Sequence, residues 1–307
     1  MGRIRPARRG DAPALVKLHE RTLLDGPPSP DAARFVRAFY ESVLFDNPWA
    51  AADLPSLLYE GADGAVAAFV GVLPRPMELR GRRVRAALVT RVMADPDHPD
   101  GAIGVAALFR HALRGPQDLS LADVVNGPGR RLWEASKGLL VAASSLWWTA
   151  APPAPSAAPE SRPAEPGELL ELVARGARAR LLRPVYDEAS LDWLLRHMAG
   201  ARHRGELHVR VLPGAGWYLA YTNPDGTGSL PQIAAFRGQE GRVVADALAF
   251  AGRRAGGRVD LELADALTAA GAALRLGPLT YAHSKDQDVL LALTSGQAFL
   301  SRLEGEY

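Results

Sequence analysis

The sequence predicts a mixed α/β protein of two domains, and three observations carry that prediction. The chain has 307 residues and 48% hydrophobic content, enough for a sizeable core and better suited to two domains than one. A stretch rich in Pro, Ala and Ser, "AAPPAPSAAPESRPAEPG" at residues 150–167, divides it near the middle and has the composition of an extended, semi-stiff linker that adds nothing to a core. On both sides of it, short apolar runs of strand type interleave with longer runs of helical period. The boundaries that follow are 1–149 for the first domain, 150–167 for the linker and 168–307 for the second domain.

In order, "GRIRPAR" reads as a short strand, and Asp11 as the cap of the helix "APALVKLHERTLL", with Pro13 in its first turn. Residues 30–45, "PDAARFVRAFYESVLF", form a second amphipathic helix with Phe35, Phe39 and Val43 on one face. The run "PSLLYEGADGAVAAFVGVLPRPMELRGRRVRAALVTRVMA" makes three strands, turned at Asp63-Gly64 and at Gly81. A helix from Gly101, the strand "LSLADVVN", the short helix "PGRRLWEAS" and one strand over "GLLVAASSLWW" (Gly138–Trp148) complete the half. After the linker come the helix "ELLELVARGARARLL", ended by Pro184, and the helix "YDEASLDWLLRHMAG", capped by Ser190. The strands "ELHVRVL", "GWYLAYTN" and "LPQIAAF", the helix "RVVADALAFAGRRAGG", the strand "RVDLEL", the helix "DALTAAGAALRLG", the strand "PLTYAHS" and two short helices follow. This order of elements matches the later part of the first half without any letter-level repeat.

Composition excludes several functions. The net charge is only +2 with a pI near 9.0, and no basic cluster marks a nucleic-acid surface. There are no cysteines, so disulfides, thiolate metal sites and a Cys nucleophile are out. His111, His197 and His208 lack ligand spacing, and no metal site is expected. No apolar run reaches the ~18 residues of a membrane span. The basic segment "MGRIRPARRGD" leads into no signal-peptide core, so a cytoplasmic protein is expected.

The stretch "MADPDHPDGAIGVAALFRHALRG" carries the most chemistry. A strand, "RVRAALVTRV", precedes it, a turn-rich run from Asp95 to Gly101 follows, and then a helix starts. A helix N-terminus has unpaired N–H groups and about half a positive charge, which suits an anion. Gly101, Ala102 and Gly104 are small enough to let phosphate oxygens approach, and Ile103 is expected to anchor the loop in the core. Downstream, "ADVVNGPGRRLWEASKG" ends a strand in Asn126 and opens a short helix that carries Trp133.

These segments, with "IRPARRGDAPALVKLHE", resemble the GNAT (Gcn5-related) N-acetyltransferase superfamily. In that family a loop of the type Gln/Arg-x-x-Gly-x-Gly/Ala cradles the pyrophosphate of an acyl-CoA, and it falls here on Pro99 to Gly104, ahead of Val105. The final Gly agrees, Pro99 replaces Gln/Arg, Ala102 replaces the first Gly, and Asp100 brings a carboxylate to the seat. The resemblance implies that backbone amides at Val92 and Ala94 polarise the thioester carbonyl. Thr90, two residues before Val92, would point the same way by strand alternation and orient a water or the amine. Asn126 matches the family Asn, and Trp133 stands where the family has a Tyr that protonates the leaving thiolate, which an indole cannot do. Thr90 and Asn126 are thus the catalytic candidates. Val92, Ala94, Asp100, Gly101, Ala102, Ile103, Gly104, Val105, Asn126 and Trp133 are the donor-binding ones.

The segments "LRPVYDEASLDWLLRHMA", "GWYLAY" and "AFLSRLEGEY" are similar to the C-terminal domain of tandem GNAT proteins of bacteria. The resemblance implies two GNAT-like domains, each a mixed, mostly antiparallel twisted sheet flanked by helices. In the second, "RGQEGRVV" (Arg237–Val244) replaces the loop and carries Glu240, which makes the first domain the donor site. The implied activity moves an acyl group from acyl-CoA or acetyl-CoA, or from a long-chain acyl thioester, to an amine of a small molecule or peptide. An acyl carrier protein is the other conceivable donor. The rival reading is a catalytically degenerate GNAT pair that acts as a binding or scaffold protein. Three lesser candidates are His98 as a base rather than a solvated turn residue, His283-Ser284 with Asp286 or Asp288 as a triad without a Gly-x-Ser-x-Gly elbow, and the acidic end Glu304–Tyr307 as a terminal base.

Overall fold

A computed structural model describes residues 2–24, 26–141, 146–151, 158–165, 167–223, 225–252, 254–277 and 279–300. From the N-terminus the chain forms β1 (Arg3–Pro6), α1 (Ala12–Leu23), α2 (Pro30–Ala38), a π-helical turn at Phe39–Val43, α3 (Leu44–Asp46), β2 (Leu57–Glu60), β3 (Val66–Leu79), β4 (Arg82–Ala94), α4 (Gly101–Leu113), β5 (Leu119–Val125), α5 (Gly127–Ala135) and β6 (Leu139–Val141). It continues through β7 (Leu146–Ala150), β8 (Arg162–Pro163), α6 (Glu168–Ala177), β9 (Leu182–Pro184), α7 (Glu188–Ala199), β10 (Glu206–Leu212), β11 (Gly216–Thr222), β12 (Gly228–Ala235) and α8 (Glu240–Ala251). Last come β13 (Ala255–Val259), α9 (Ala264–Ala269), β14 (Ala273–Leu276), β15 (Leu279–Ser284) and α10 (Gln287–Thr294).

The described residues cluster into two compact units. One holds the residues up to Leu140 together with Tyr281–Leu291; the other holds Val141–Thr280 with the described residues from Ala292 onward. Each is built on a mixed sheet flanked by helices, as the sequence predicts. The first sheet runs β1-β2-β3-β4-β5-β15-β6 and the second β14-β7-β13-β12-β11-β10-β8. In both, antiparallel strands lead into a helix that returns on a parallel neighbour: β4, α4, β5 in one and β12, α8, β13 in the other.

The turns follow from local chemistry. At the β2–β3 hairpin, Gly64 has φ 81° and the Asp63 carboxylate accepts from the Ala65 amide. The β3–β4 reversal places Arg80 and Gly81 at φ 50° and 85°, the mirror-image turn whose twist suits a tight hairpin. In the first unit α1 and the π-turn cover one face of the sheet, with Tyr40 edge-on to Phe69 at 5.9 Å. The other face takes α4, where Gly104 rests on the Tyr59 ring. The second unit packs Trp148, Tyr218 and Leu230 from its sheet against Val243, Val244 and Leu248 of α8.

Besides the helix read across "DALTAAGAALRLG", which ends at Ala269 and is followed by the strand β14, five local expectations are corrected. The run Gly138–Trp148 is not one strand of the first half: β6 belongs to the first sheet, β7 lies in the second between β13 and β14, and residues 142–145 lie outside the described residues. Asp11 does not cap α1. Its carboxylate is spent on Arg5, at 2.7 and 2.9 Å, and on the Arg8 amide, because a nearby guanidinium outbids a neutral N–H. Asp187, not Ser190, caps α7, with Ser190 returning the bond from the third helical position. The helix read across residues 168–182 ends at Ala177, and Leu182–Pro184 is extended ahead of Pro184.

The fifth correction concerns the linker. Residues 152–157 and 166 lie outside the described residues, and 158–165, though mostly exposed, are tied to the second unit at two points. Arg162–Pro163 pairs with Val211 and Arg210 of β10, and Ser161 is buried. The Asp246 carboxylate accepts from the amides of Glu160 (2.6 Å) and Ser161 (3.0 Å) and from the Tyr218 hydroxyl (2.8 Å). Composition predicted an extended linker outside the core because it sees the prolines and not the buried acceptor that fixes the backbone between them.

Candidate functional site

The parallel pair β4–β5 is laddered only over Ala86–Leu88 with Leu119–Leu121. Beyond that β4 continues to Ala94 and β5 to Val125, so a slot opens between two strand edges whose backbone groups are not laddered to each other. On its other side β4 is paired with β3, but with a bulge: Phe69 faces Met93 and Gly71 faces Thr90, so Arg91 and Val92 together oppose Val70. Arg91 takes the extra turn at φ 50°, a left-handed conformation that strains a residue with a Cβ. The Asp95 amide points at β3 and donates to Ala67 O at 2.8 Å. Alternation therefore turns the neighbouring Ala94 amide the other way, to the open edge.

The bulge corrects one expectation. Residues opposite each other in an antiparallel ladder share a face, and Phe69 and Gly71 are two apart on β3. Thr90 therefore shares its face with Met93 and not with Val92. Its side, half-buried, is that of α1 and the π-turn.

At the mouth, α4 begins at Gly101, where a Cβ would stand 2.2 Å from Asp95 O, so only glycine fits. The Gly101 amide donates to His98 O and the Gly104 amide to Asp100 O. The amides of Ala102 and Ile103 have no bond to another described residue, and both residues are exposed. Ile103 does not anchor the loop: it is 68% exposed, because the next core position of the helix is Gly104 on Tyr59. Val105 follows, half-buried. Asp95 and Asp97 bind the Arg21 guanidinium of α1, which offsets their charge, and Asp100 stands half-buried at the helix cap position. His98 is a loop tie. Its ring accepts from the Asp100 amide at 3.1 Å and stands 3.3 Å from the Asp63 carboxylate.

Asn126 and Trp133 are both in α5 or at its edge; Trp133 is enclosed, and the exposed Asn126 has its side-chain oxygen committed to the helix. The Asn126 side chain caps α5, accepting from the Gly129 amide at 2.9 Å. Trp133 is 1% exposed, edge-on to Phe109 at 5.2 Å and stacked on Tyr281 at 6.0 Å. Tyr281, from β15, donates its hydroxyl to Glu134 at 3.1 Å, and burial first, then that carboxylate, raise its pKa. A phenol thus does stand beside the indole, brought from far along the chain.

Sequence reading missed a buried polar cluster at the bulge. His19 Nδ1 lies 3.0 Å from the Tyr40 hydroxyl, which is 3.6 Å from Met93 Sδ. Burial, with a smaller push from the Arg91 charge, lowers the His19 pKa to about 4. Burial raises that of Tyr40 well beyond the ordinary phenol, so both are neutral. The Arg91 guanidinium lies 4.9 Å over the Phe39 ring. His19 sits on the inner face of α1 with Leu15 and Leu18, a position at which periodicity reports only burial.

In the second unit the corresponding helix start is filled from within. Glu240, in the first turn of α8, accepts from the Gly238 amide at 3.0 Å, so a carboxylate of the chain holds the anion position. Ser284 is no nucleophile: its hydroxyl donates to Asp118 O at 2.6 Å and accepts from the Asp286 amide. The end Glu304–Tyr307 lies outside the described residues. Among the described residues no group of three or more His, Asp or Glu is placed to hold a metal, and no helix is long and apolar enough to cross a membrane.

Two sheets, each with a strand–helix–parallel-strand unit, match solved structures along almost the whole chain. A GCN5-related N-acetyltransferase from Kribbella flavida superposes with a TM-score of 0.63 over 92% of this chain and 72% of its own, at 15% identity. One from Anabaena variabilis gives 0.64 over 94% and 74%, at 14% identity. The fold is that of the GCN5-related N-acetyltransferases. The chain also superposes on the Saccharomyces cerevisiae N-myristoyltransferase with bound myristoyl-CoA, with a TM-score of 0.55 over 92% of this chain and 78% of that one, at 11% identity. No protein-family model matches the sequence, and no curated protein matches it.

Proposed function

We propose that the protein is an N-acyltransferase whose first unit binds the donor, acyl-CoA or acetyl-CoA, in the β4–β5 slot. The observation that carries this reading is the slot itself: two parallel strands that part after three pairs, a bulge on one edge, and free amides of Ala102 and Ile103 at the helix start at its mouth. Pyrophosphate would sit on those amides, favoured by the helix dipole. The Ala94 amide, turned to the open edge, would accept the thioester carbonyl as charge builds on its oxygen. Val92 belongs to the same edge segment. A neutral amine of a small molecule or peptide attacks the carbonyl carbon, the C–N bond forms, the C–S bond breaks, and the thiolate leaves as CoA while the amine sheds a proton. Trp133 supplies no proton to that thiolate.

Binding of acetyl-CoA, measured by calorimetry, tests the donor site. Ala102 is exposed, so Ala102→Glu should leave folding intact and place a carboxylate against the free amides of the helix start. Affinity should fall at least tenfold. Unchanged affinity, or no binding by the wild type, defeats the reading.

A further inference from the structure

Two irregularities face each other in the first unit. One is the β4 bulge, where Arg91 and Val92 stand against Val70 alone. The other is the π-helical turn Phe39–Val43, where the helix takes an additional residue into one turn. Consecutive residues of the turn grip the bulge and the residue that follows it. Phe39 lies under the Arg91 guanidinium at 4.9 Å, and the fully buried Tyr40 reaches Met93 Sδ at 3.6 Å, with its hydroxyl held by His19 at 3.0 Å. A left-handed arginine inside a strand is strained, and a π-turn departs from the regular helix. Such features persist where the surroundings over-determine them, and they gather at functional sites. Here each one supplies the contact that holds the other.

We propose that the Phe39–Val43 turn is a clamp that sets the aim of the open-edge amides of β4, and that Arg91, Tyr40 and His19 are positioning residues for acyl transfer. The second half of the statement rests on the acyltransferase reading; the first does not. Met93 joins the Tyr40 contact to the Ala94 peptide, so a slack clamp changes where the Ala94 amide points without emptying the slot.

Three variants of the full chain separate this role from packing. Arg91→Gly accepts the left-handed backbone without strain and keeps the bulge while losing the guanidinium. Arg91→Lys keeps the charge but not the flat face, and Tyr40→Phe keeps the ring but not the hydroxyl. Amide hydrogen exchange and thiol release from acetyl-CoA, with glycinamide as the amine, are measured on each. Arg91→Gly and Tyr40→Phe should speed exchange of the Asp95 amide, which donates to Ala67 O just past the bulge, at least tenfold while leaving those of Leu57–Tyr59 unchanged. Both should also lower kcat at least tenfold with KM for acetyl-CoA within twofold, and Arg91→Lys should recover part of it. Unchanged exchange overturns the clamp, and faster exchange with unchanged kcat overturns the positioning role. If the wild type releases no thiol, the acyltransferase reading fails, and the exchange data alone decide whether the clamp exists.

Discussion

His19 is buried with its imidazole neutral, its pKa lowered to about 4 by burial and by the charge of Arg91. The unfolded chain takes a proton near the ordinary value of 6.5, so acid favours unfolding. Stability should therefore be full above about pH 6.5 and drain away as the pH falls toward 4, by up to roughly 3 kcal/mol. Urea denaturation across that range checks it: His19→Gln should flatten the profile, and an unaltered slope would place the titrating group elsewhere. Neighbouring small residues at the mouth divide in the same way between fold and ligand. A Cβ on Gly104 would stand 2.9 Å from the Tyr59 ring, so Gly104→Ala should lower stability by roughly 1–3 kcal/mol in the same assay, the usual range for overpacking. Ile103→Ala, at an exposed position, should leave the denaturation midpoint unmoved.

At the scale of elements, Trp133 decides what α5 is for. Its ring is enclosed by Phe109 and Tyr281, so Trp133→Ala should cost about 3–5 kcal/mol in thermal or urea unfolding. Trp133→Tyr should cost less and bring no gain in turnover, because the phenol would replace a packed indole instead of reaching into the slot. Asn126→Ala should cost about 1 kcal/mol as a lost helix cap. Strands β2 to β4 and helix α4 were legible because alternation, Asp63-Gly64, Gly81 and the small residues at 101–104 are local signals. The slot was legible only through resemblance, since strand parting is a property of pairing and not of either strand. What alternation misjudged, the facing of Thr90, it misjudged at one inserted residue, where a period of two breaks. The His19–Tyr40 pair was invisible because its partners are far apart in sequence and each reads as core.

For the whole molecule, the two compact units are not two consecutive halves of the chain. β7 leaves the N-terminal half for the second sheet, and β15 returns from the C-terminal part to lie between β5 and β6. A fragment ending at residue 149 lacks β15, and with it the Tyr281 face on which Trp133 stacks. It should show no cooperative unfolding transition by circular dichroism; a sharp one would mean that the first sheet closes without β15. Asp246 has a similar long reach: Asp246→Ala should expose the Glu160 and Ser161 amides to exchange and cost about 1–3 kcal/mol, since it strands three donors.

The late arrival of β15 also sets a timetable. A nascent chain folds from its N-terminus as it leaves the ribosome, yet here the sheet that carries the slot must wait for a strand made after all those of the second sheet. Until then β5 and β6 each present an edge with no partner, the kind of edge that recruits other chains. Chains that terminate before β15 therefore never complete the first sheet.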